Sequence, residues 1–226
     1  MSIYVIGDLH LSFGENKPMD VFGVNWEGHY EKIKNDWLSK VKESDTVILA
    51  GDFSWATKLQ NTILDFEYLN GLPGRKILLK GNHDYWWTTV TNMKIFLKEN
   101  NIENIDFLYN NSFEIDNKII CGTRGWSLSE ERAEDNQKII DREINRLKLS
   151  IEDGITKFGK DKEIIVFLHY PPITPFIQIL KEYNIKRCYY GHLHGNSIKD
   201  AVNGNMDGIE LKLISSDAVD FKLQLV

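Results

Sequence analysis

The sequence predicts an α/β fold built from two β-sheets packed face to face, with helices on their outer faces. Three observations predict it. Short aliphatic runs alternate with segments of helical periodicity through the first half, the pattern of strands paired in parallel through crossover helices. The second half adds shorter strand-like runs, and two packed sheets accommodate the total. No internal repeat or low-complexity linker interrupts the 226 residues, and 42% apolar content supports a sizeable core, so the expectation is a single domain over residues 1–226.

Residues 3–6 read as a fully buried strand: short, aliphatic and ended by Gly7. Residues 47–50 are a second, ended by Gly51, and residues 77–79 a third, entered through the Leu72-Pro73-Gly74 turn and ended near Gly81. Residues 164–168 are a fourth, ended by His169 and a Pro171-Pro172 break, and residues 188–190 a fifth, ended by Gly191. Tyr30, Ile33, Trp37 and Val41 recur at helical spacing, as do Leu59, Ile63, Phe66 and, less regularly, Leu69, with Asn70-Gly71 as a C-terminal stop. Residues 85–100 predict a third helix, entered directly from the Gly81 motif. Ser127-Leu128-Ser129-Glu130 reads as a capping box ahead of a helix with Ile140, Ile144, Leu147 and Ile151 on one face. Further strands are expected at 105–109, 113–115, 119–121, 209–214 and 221–225, with a tight hairpin turn at Asp116-Asn117. Residues 11–25 show no periodicity. They follow the first motif and are expected to lie over the rim as a lid or binding loop.

A net charge of −6 gives no global basic field, so a long nucleic acid is not expected as partner, while a small nucleotide substrate stays open. The two cysteines, Cys121 and Cys188, show no framework spacing, which points to a reducing compartment. The aliphatic run at 3–6 is too short for a signal segment and lacks a basic lead, and no later stretch is long enough to span a bilayer. The expectation is a soluble, cytoplasmic protein with no membrane and no protein partner.

Five of the six histidines sit in short motifs: Gly7-Asp8-Leu9-His10, Gly81-Asn82-His83-Asp84, Leu168-His169-Tyr170 and Gly191-His192-Leu193-His194. Gly51-Asp52 adds a carboxylate. Each motif follows a strand-like run, which implies strands ending at a shared rim with polar groups presented beyond them. Asp8 and His10 are two apart, a spacing that at a strand end points both side chains to one side, and His192 and His194 repeat it. Asp52 stands alone, which suits a carboxylate bridging two ions; Asn82 supplies an amide oxygen and His169 one more imidazole. Imidazole and carboxylate without thiolate suit Mn, Fe or Zn. The seven residues Asp8, His10, Asp52, Asn82, His169, His192 and His194 suffice for two ions with positions left for water and substrate, the mark of a catalytic site.

The order Gly-Asp-x-His, Gly-Asp, Gly-Asn-His-Asp, His, Gly-His-x-His, running from Gly7 to His194, resembles the calcineurin-like metallophosphoesterases. That resemblance implies a four-layer α-β-β-α fold of two packed mixed sheets with helices on the outer faces. It implies a first ion held by Asp8, His10, Asp52 and His194, and a second held by Asp52, Asn82, His169 and His192. It implies that His83 contacts the scissile phosphate, with Asp84 as its orienting partner. The implied activity is hydrolysis of a phosphate mono- or diester, a small molecule or nucleotide, by metal-bound hydroxide. Two divalent or trivalent transition-metal ions (Mn, Fe or Zn) would be the cofactors. Such ions clamp the attacking and leaving oxygens of an in-line displacement. A cationic His83 would protonate the leaving oxygen, its pKa raised by the neighbouring Asp84. The protein Ser/Thr phosphatase branch resembles Gly-Asn-His-Glu at the third block and carries arginines beside the second and third. Here Asp84 closes the third block and Phe53-Ser54-Trp55 follows Asp52, so a phosphoprotein substrate is not expected.

Other residues read more plainly. By spacing alone His83 fits a further ligand as well as an acid; the family pattern favours the acid. Arg124, flanked by glycines after a strand, is read as a surface or structural arginine, with a phosphate contact as the alternative. Trp55, Trp86 and Trp87 are read as core, the alternative being a cleft wall that stacks on a base or aromatic leaving group. His29 is read as a solvated or capping-region histidine without a role, and residues 130–135 as a solvated acidic first turn. The rival from another class is a non-catalytic metal-binding scaffold of the same fold, whose expected sign, loss of ligands or of His83, is not seen.

Overall fold

The computed structural model describes residues 1–127 and 133–226. The predicted capping box at 127–130 and acidic turn at 130–135 lie largely outside the described residues. The elements run β1 (Ile3–Ile6), α1 (His29–Lys40), β2 (Thr46–Ala50), α2 (Ile63–Asn70), β3 (Arg75–Leu79), α3 (Val90–Glu99), β4 (Ile105–Leu108), β5 (Phe113–Ile115), β6 (Lys118–Thr123), α4 (Ala133–Phe158), β7 (Glu163–Leu168), α5 (Thr174–Glu182), β8 (Arg187–Tyr190), β9 (Gly204–Met206), β10 (Ile209–Leu213) and β11 (Gln224–Leu225).

One sheet has the order β11-β1-β2-β3-β4 and the other β5-β6-β7-β8-β10-β9. The pairs β1–β2, β2–β3 and β3–β4 are parallel, as are β6–β7, β7–β8 and β8–β10. Among the described residues, antiparallel partners sit only at the edges, where β11, β5 and β9 pair. Strand β2 is buried at every position because both of its faces are covered, which is why it reads as an unbroken aliphatic run. Its Val47 and Leu49 pack outward with Trp37, Phe66 and Met93 from the helices of that side. Its Ile48 and Ala50 pack inward, where Ile120, Ile165 and Phe167 of the second sheet meet them. On the far side Val166, Leu168 and Cys188 pack with Leu147, Ile151, Phe176 and Leu180 of α4 and α5. The result is helix, sheet, sheet, helix: the expected four layers.

Several boundaries differ from the sequence expectation. Helix α3 begins at Val90, not at Tyr85: Thr89 caps it by accepting from Asn92 N, and residues 85–88 form an irregular turn that sinks Trp86 and Trp87 into the core. Helix α2 ends at Asn70 as expected, but Gly71 has φ −73°, so the stop is not a left-handed cap. Only Gln224–Leu225 of the strand expected over 221–225 pairs; Phe221 has φ 56° and packs its ring against Trp26 at 5.1 Å. Helix α5 and the edge strand β9 go beyond the sequence expectation; Pro175 in the first turn of α5 is a helix-start signal that the preceding Pro-Pro pair obscures. The Asp116-Asn117 hairpin turn is present, both residues having positive φ (49° and 60°), the primed-turn geometry. No helix among the described residues is long and apolar enough to cross a membrane.

Candidate active site

The motif residues lie just beyond the C-terminal ends of β1, β2 and β3 in one sheet and β7 and β8 in the other. Because these strands are parallel within each sheet, their ends meet at one rim, and the sandwich brings the two sets of loops together. The first two loops run side by side: Asp8 N donates to Gly51 O (2.9 Å), His10 N to Asp52 O (3.0 Å) and Leu11 N to Phe53 O (2.9 Å). Asp8, His10, Asp52 and His192 all have positive φ (58°, 47°, 50° and 74°). The strand-end spacing argument for Asp8 and His10 therefore needs correction: they reach the same site through left-handed backbone, not as alternate residues of an extended strand. Such backbone costs on the order of 1 kcal/mol per residue and concentrates at functional sites. The flanking glycines also make room. A β-carbon at Gly81 would collide with the Asp52 carboxylate, and one at Gly191 with that of Asp8.

All seven residues expected as ligands converge. His194 Nε2 lies 3.3 Å from Asp8 Oδ1 and 3.4 Å from His10 Nε2, and His10 Nε2 lies 3.8 Å from Asp52 Oδ2. On the other side His169 Nε2 lies 3.6 Å from Asp52 Oδ2 and 2.6 Å from Asn82 Oδ1, which is 2.9 Å from His192 Nδ1. Asp52 thus sits between two donor groups. Asp8 also approaches the second group, its Oδ1 3.8 Å from His169 Nδ1, and accepts from His192 N at 3.1 Å.

The donor chemistry fits cations. His169 donates Nδ1–H to Ala50 O (3.1 Å), and burial pulls its pKa down to about 3, so it is neutral with its lone pair on Nε2. That lone pair faces Asn82 Oδ1 at 2.6 Å, two acceptors without a hydrogen to share, with Asp52 Oδ2 3.6 Å away. His194 gives Nδ1–H to Asp217 Oδ1 (2.7 Å) and aims Nε2, which keeps its proton in the metal-free protein, at Asp8. Burial, then the Asp84 and Asp8 carboxylates, push the Asp52 carboxyl well above the usual range. Asp8 is held low: burial opposes it, but His194, His169 and His10 together outweigh burial. His10 Nδ1 is buried without a partner among the described residues. Positive ions among these groups would relieve the acceptor crowding and the carboxylate repulsion together.

Asp84 takes a different place from the one expected. The Asp84 carboxylate accepts from Gly81 N (2.7 Å), Asp52 N, Phe53 N and Trp86 Nε1 (each 3.0 Å) and Ser54 N (3.3 Å). It braces the second loop against the third and does not reach the His83 imidazole. His83 Nδ1 has no partner among the described residues, and burial, then His192, lower its pKa instead of Asp84 raising it. Its ring lies 4.5 Å from that of Trp55, which in turn stacks on His10 at 4.8 Å.

His10, His83 and His194 form one wall of a cleft of about 280 Å³, and Met19, Phe22, Trp26 and Trp55 line most of the rest, with Asn25, Gly195 and Asp217 beside them. The 11–25 loop therefore does lie over the rim, folded into two short 3-10 turns, Met19–Phe22 and Val24–Trp26. Of the three tryptophans named from sequence, Trp55 walls the cleft while Trp86 and Trp87 are core. Arg124 is structural: it lies on the Trp126 ring and 3.7 Å from the buried Glu143, and its carbonyl accepts from His169 N. His29 is neither solvated nor idle. It is buried between Leu9 O (3.0 Å) and Trp26 O (3.2 Å), tying the first motif to the loop above it. Asp217 is a site residue that sequence reasoning misses. It follows β10 at the same rim, but a lone Asp without a histidine nearby gives no motif signal.

A search of the curated proteins finds no match. Among solved structures, a protein of unknown function, AQ665 from Aquifex aeolicus, is 22% identical with a TM-score of 0.53, covering 99% of this chain and 95% of that one. The phosphopantetheinyl hydrolase PptH from Mycobacterium tuberculosis is 12% identical with a TM-score of 0.58, covering 100% and 95%. TT1561 of Thermus thermophilus is 13% identical with a TM-score of 0.55, covering 100% and 99%. At these identities the likeness is one of fold. The family model for calcineurin-like phosphoesterases matches residues 1–196, a span that holds every one of the five motifs, and the chain belongs to that family.

Proposed function

We propose that the protein is a binuclear metal-dependent phosphoesterase that hydrolyses a small phosphate mono- or diester. Asp8, His10, Asp52 and His194 would hold one ion, and Asp52, Asn82, His169 and His192 the other, as Mn, Fe or Zn. The observation that carries this is the convergence of Asp52 Oδ2, Asn82 Oδ1 and His169 Nε2, acceptors that a cation reconciles. When bound, such ions supply Lewis acidity to the phosphoryl oxygens and make water acidic enough to attack at neutral pH.

The chain's own residues do the rest. His83, on the cleft wall, hydrogen-bonds a phosphoryl oxygen and carries the proton that the leaving oxygen takes as the ester P–O bond breaks. Burial, then His192, lower its pKa in the free protein, and an arriving phosphate anion raises it. Asp84 acts through the backbone of the two loops it braces. The loop above the cleft limits the substrate to a small ester, a nucleotide included. One domain over 1–226 and a cytoplasmic, reducing compartment fit the two buried free cysteines.

The test is hydrolysis of p-nitrophenyl phosphate and bis-p-nitrophenyl phosphate by chelator-stripped protein with Mn, Fe, Zn or Mg restored. Activity should return with metal, vanish in Asp52→Asn, and fall by about 10²- to 10⁴-fold in His83→Ala with metal content kept. The preferred ester assigns mono- or diesterase character. Two bound ions without turnover would make the protein a non-catalytic scaffold, and failure to bind metal sinks the proposal.

A further inference from the structure

We infer that the substrate is a phosphate ester of an apolar alcohol, and that Phe22 on the loop above the rim selects it. The inference rests on the phosphoesterase reading for the phosphoryl end of the ligand. The cleft has two chemically distinct walls. One is the imidazole wall of His10, His83 and His194; the other is Met19, Phe22, Trp26 and Trp55. A phosphoryl group drawn to the first wall leaves its alcohol against the second. At about 280 Å³ the cleft suits one small group of that kind beside the phosphoryl, not a polymer.

The loop is built to hold an apolar side chain there at a cost. Gly23 has φ 139° and ψ 153°, a conformation essentially confined to glycine. It breaks the chain between the two 3-10 turns and sets Phe22 at the cleft mouth. Phe22 stays 66% exposed, although it belongs among buried residues by chemistry. A bound apolar group would cover it. Trp55 borders the imidazole wall, fixed by its stack on His10 and by donating Nε1–H to Met19 Sδ at 3.0 Å. Among the described residues no acidic side chain lines the cleft except Asp217, which His194 already occupies. Beside the apolar wall the single Asn25 amide offers far fewer hydrogen bonds than a polyhydroxylated alcohol would lose from water.

The experiment pairs binding with turnover in the metal-loaded protein. Calorimetry compares benzylphosphonate with methylphosphonate, neither of which can be hydrolysed; kinetics compares benzyl phosphate with glycerol 3-phosphate. Benzylphosphonate should bind about tenfold tighter or more, and benzyl phosphate should be favoured in kcat/KM to a similar degree. Phe22→Ala should cut both preferences by about fivefold, through KM, with little change for methylphosphonate and glycerol 3-phosphate. Val21→Ser, a neighbouring position that is 72% exposed and does not line the cleft, should change neither. Equal affinities, no binding of benzylphosphonate, or preferences untouched by Phe22→Ala would overturn the inference. A binding preference without hydrolysis of any ester would leave the apolar subsite standing and remove the phosphoesterase reading instead.

Discussion

His194 donates its Nδ1–H to Asp217 Oδ1 at 2.7 Å, and the Asp217 carboxylate also accepts from Gly195 N at 2.9 Å. The carboxylate fixes both the tautomer and the orientation of the ring, so that Nε2 is turned toward Asp8 and His10. Outer carboxylates of this kind raise the basicity of a ligating imidazole, and their loss typically costs about 10- to 100-fold in metal affinity. Asp217→Ala should therefore weaken binding of one ion by about that factor while the second stays tight. Competition against a chromogenic chelator reads this directly; two unchanged affinities would remove Asp217 from the site.

Asp84 separates a catalytic from a positioning role. Asp84→Ala strips a buried acceptor from four backbone N–H groups and one indole, at an expected cost of about 3–5 kcal/mol in denaturant unfolding. His83→Ala, at a ring whose Nδ1 has no hydrogen-bond partner among the described residues, should cost under about 1 kcal/mol. An orienting role toward the imidazole predicts something else: Asp84→Asn would lower the His83 pKa. The geometry says that this pKa, followed by NMR, stays where it is.

The sequence made most of this rim legible because each donor sits within a few residues of an aliphatic strand's end. Gly7, Gly51, Gly81 and Gly191 mark those ends, and histidine and asparagine are rare enough there to stand out. What it hid was tertiary. Asp84 lies in a motif, yet its five donors come from residues on two loops, and nothing in Gly-Asn-His-Asp says which groups the carboxylate will meet. Asp217 follows a strand end as Asp52 does, but without a recognisable block around it. The start of α3 is expected too early because the helix is read as following directly from the Gly81 motif, whereas Trp86 and Trp87 pack into the core from an irregular turn. Phe22 and Trp26 fall in or beside an aperiodic loop, where no pattern distinguishes a cleft wall from solvent.

His29 shows how a residue without a motif can support one. Its ring nitrogens face Leu9 O and Trp26 O, linking the backbone between Asp8 and His10 to the base of the loop above the cleft. His29→Phe keeps the volume and removes the hydrogen bond, leaving a buried carbonyl unpaired. It should cost about 1–3 kcal/mol of stability and loosen the loop more than the rest of the molecule. Hydrogen exchange at residues 9–11 and 19–26 measures this. Uniform exchange across the chain, or none, would mean that the imidazole only fills space.

The opposed pKa shifts within the site give it a definite response to pH. Burial pulls the His194 pKa down, but Asp8 and Asp217 push it up to about 10, against 6.5 for an unperturbed histidine. A group raised on folding contributes stability that is complete below its unfolded pKa and is lost as the pH climbs through the folded one. The metal-free protein should therefore lose stability between about pH 7 and about pH 10, and His194→Gln should flatten that decline. Metal loading reverses the sign of the requirement, because a ligating imidazole must give up its Nε2 proton. At about pH 8 His194 holds that proton in the metal-free state, so loading should release at least about one proton per chain. Calorimetric titrations in buffers of different ionisation enthalpy count it. The release should fall by about one in His194→Gln, whereas an unchanged count would show that the proton between His194 and Asp8 does not stand where an ion binds.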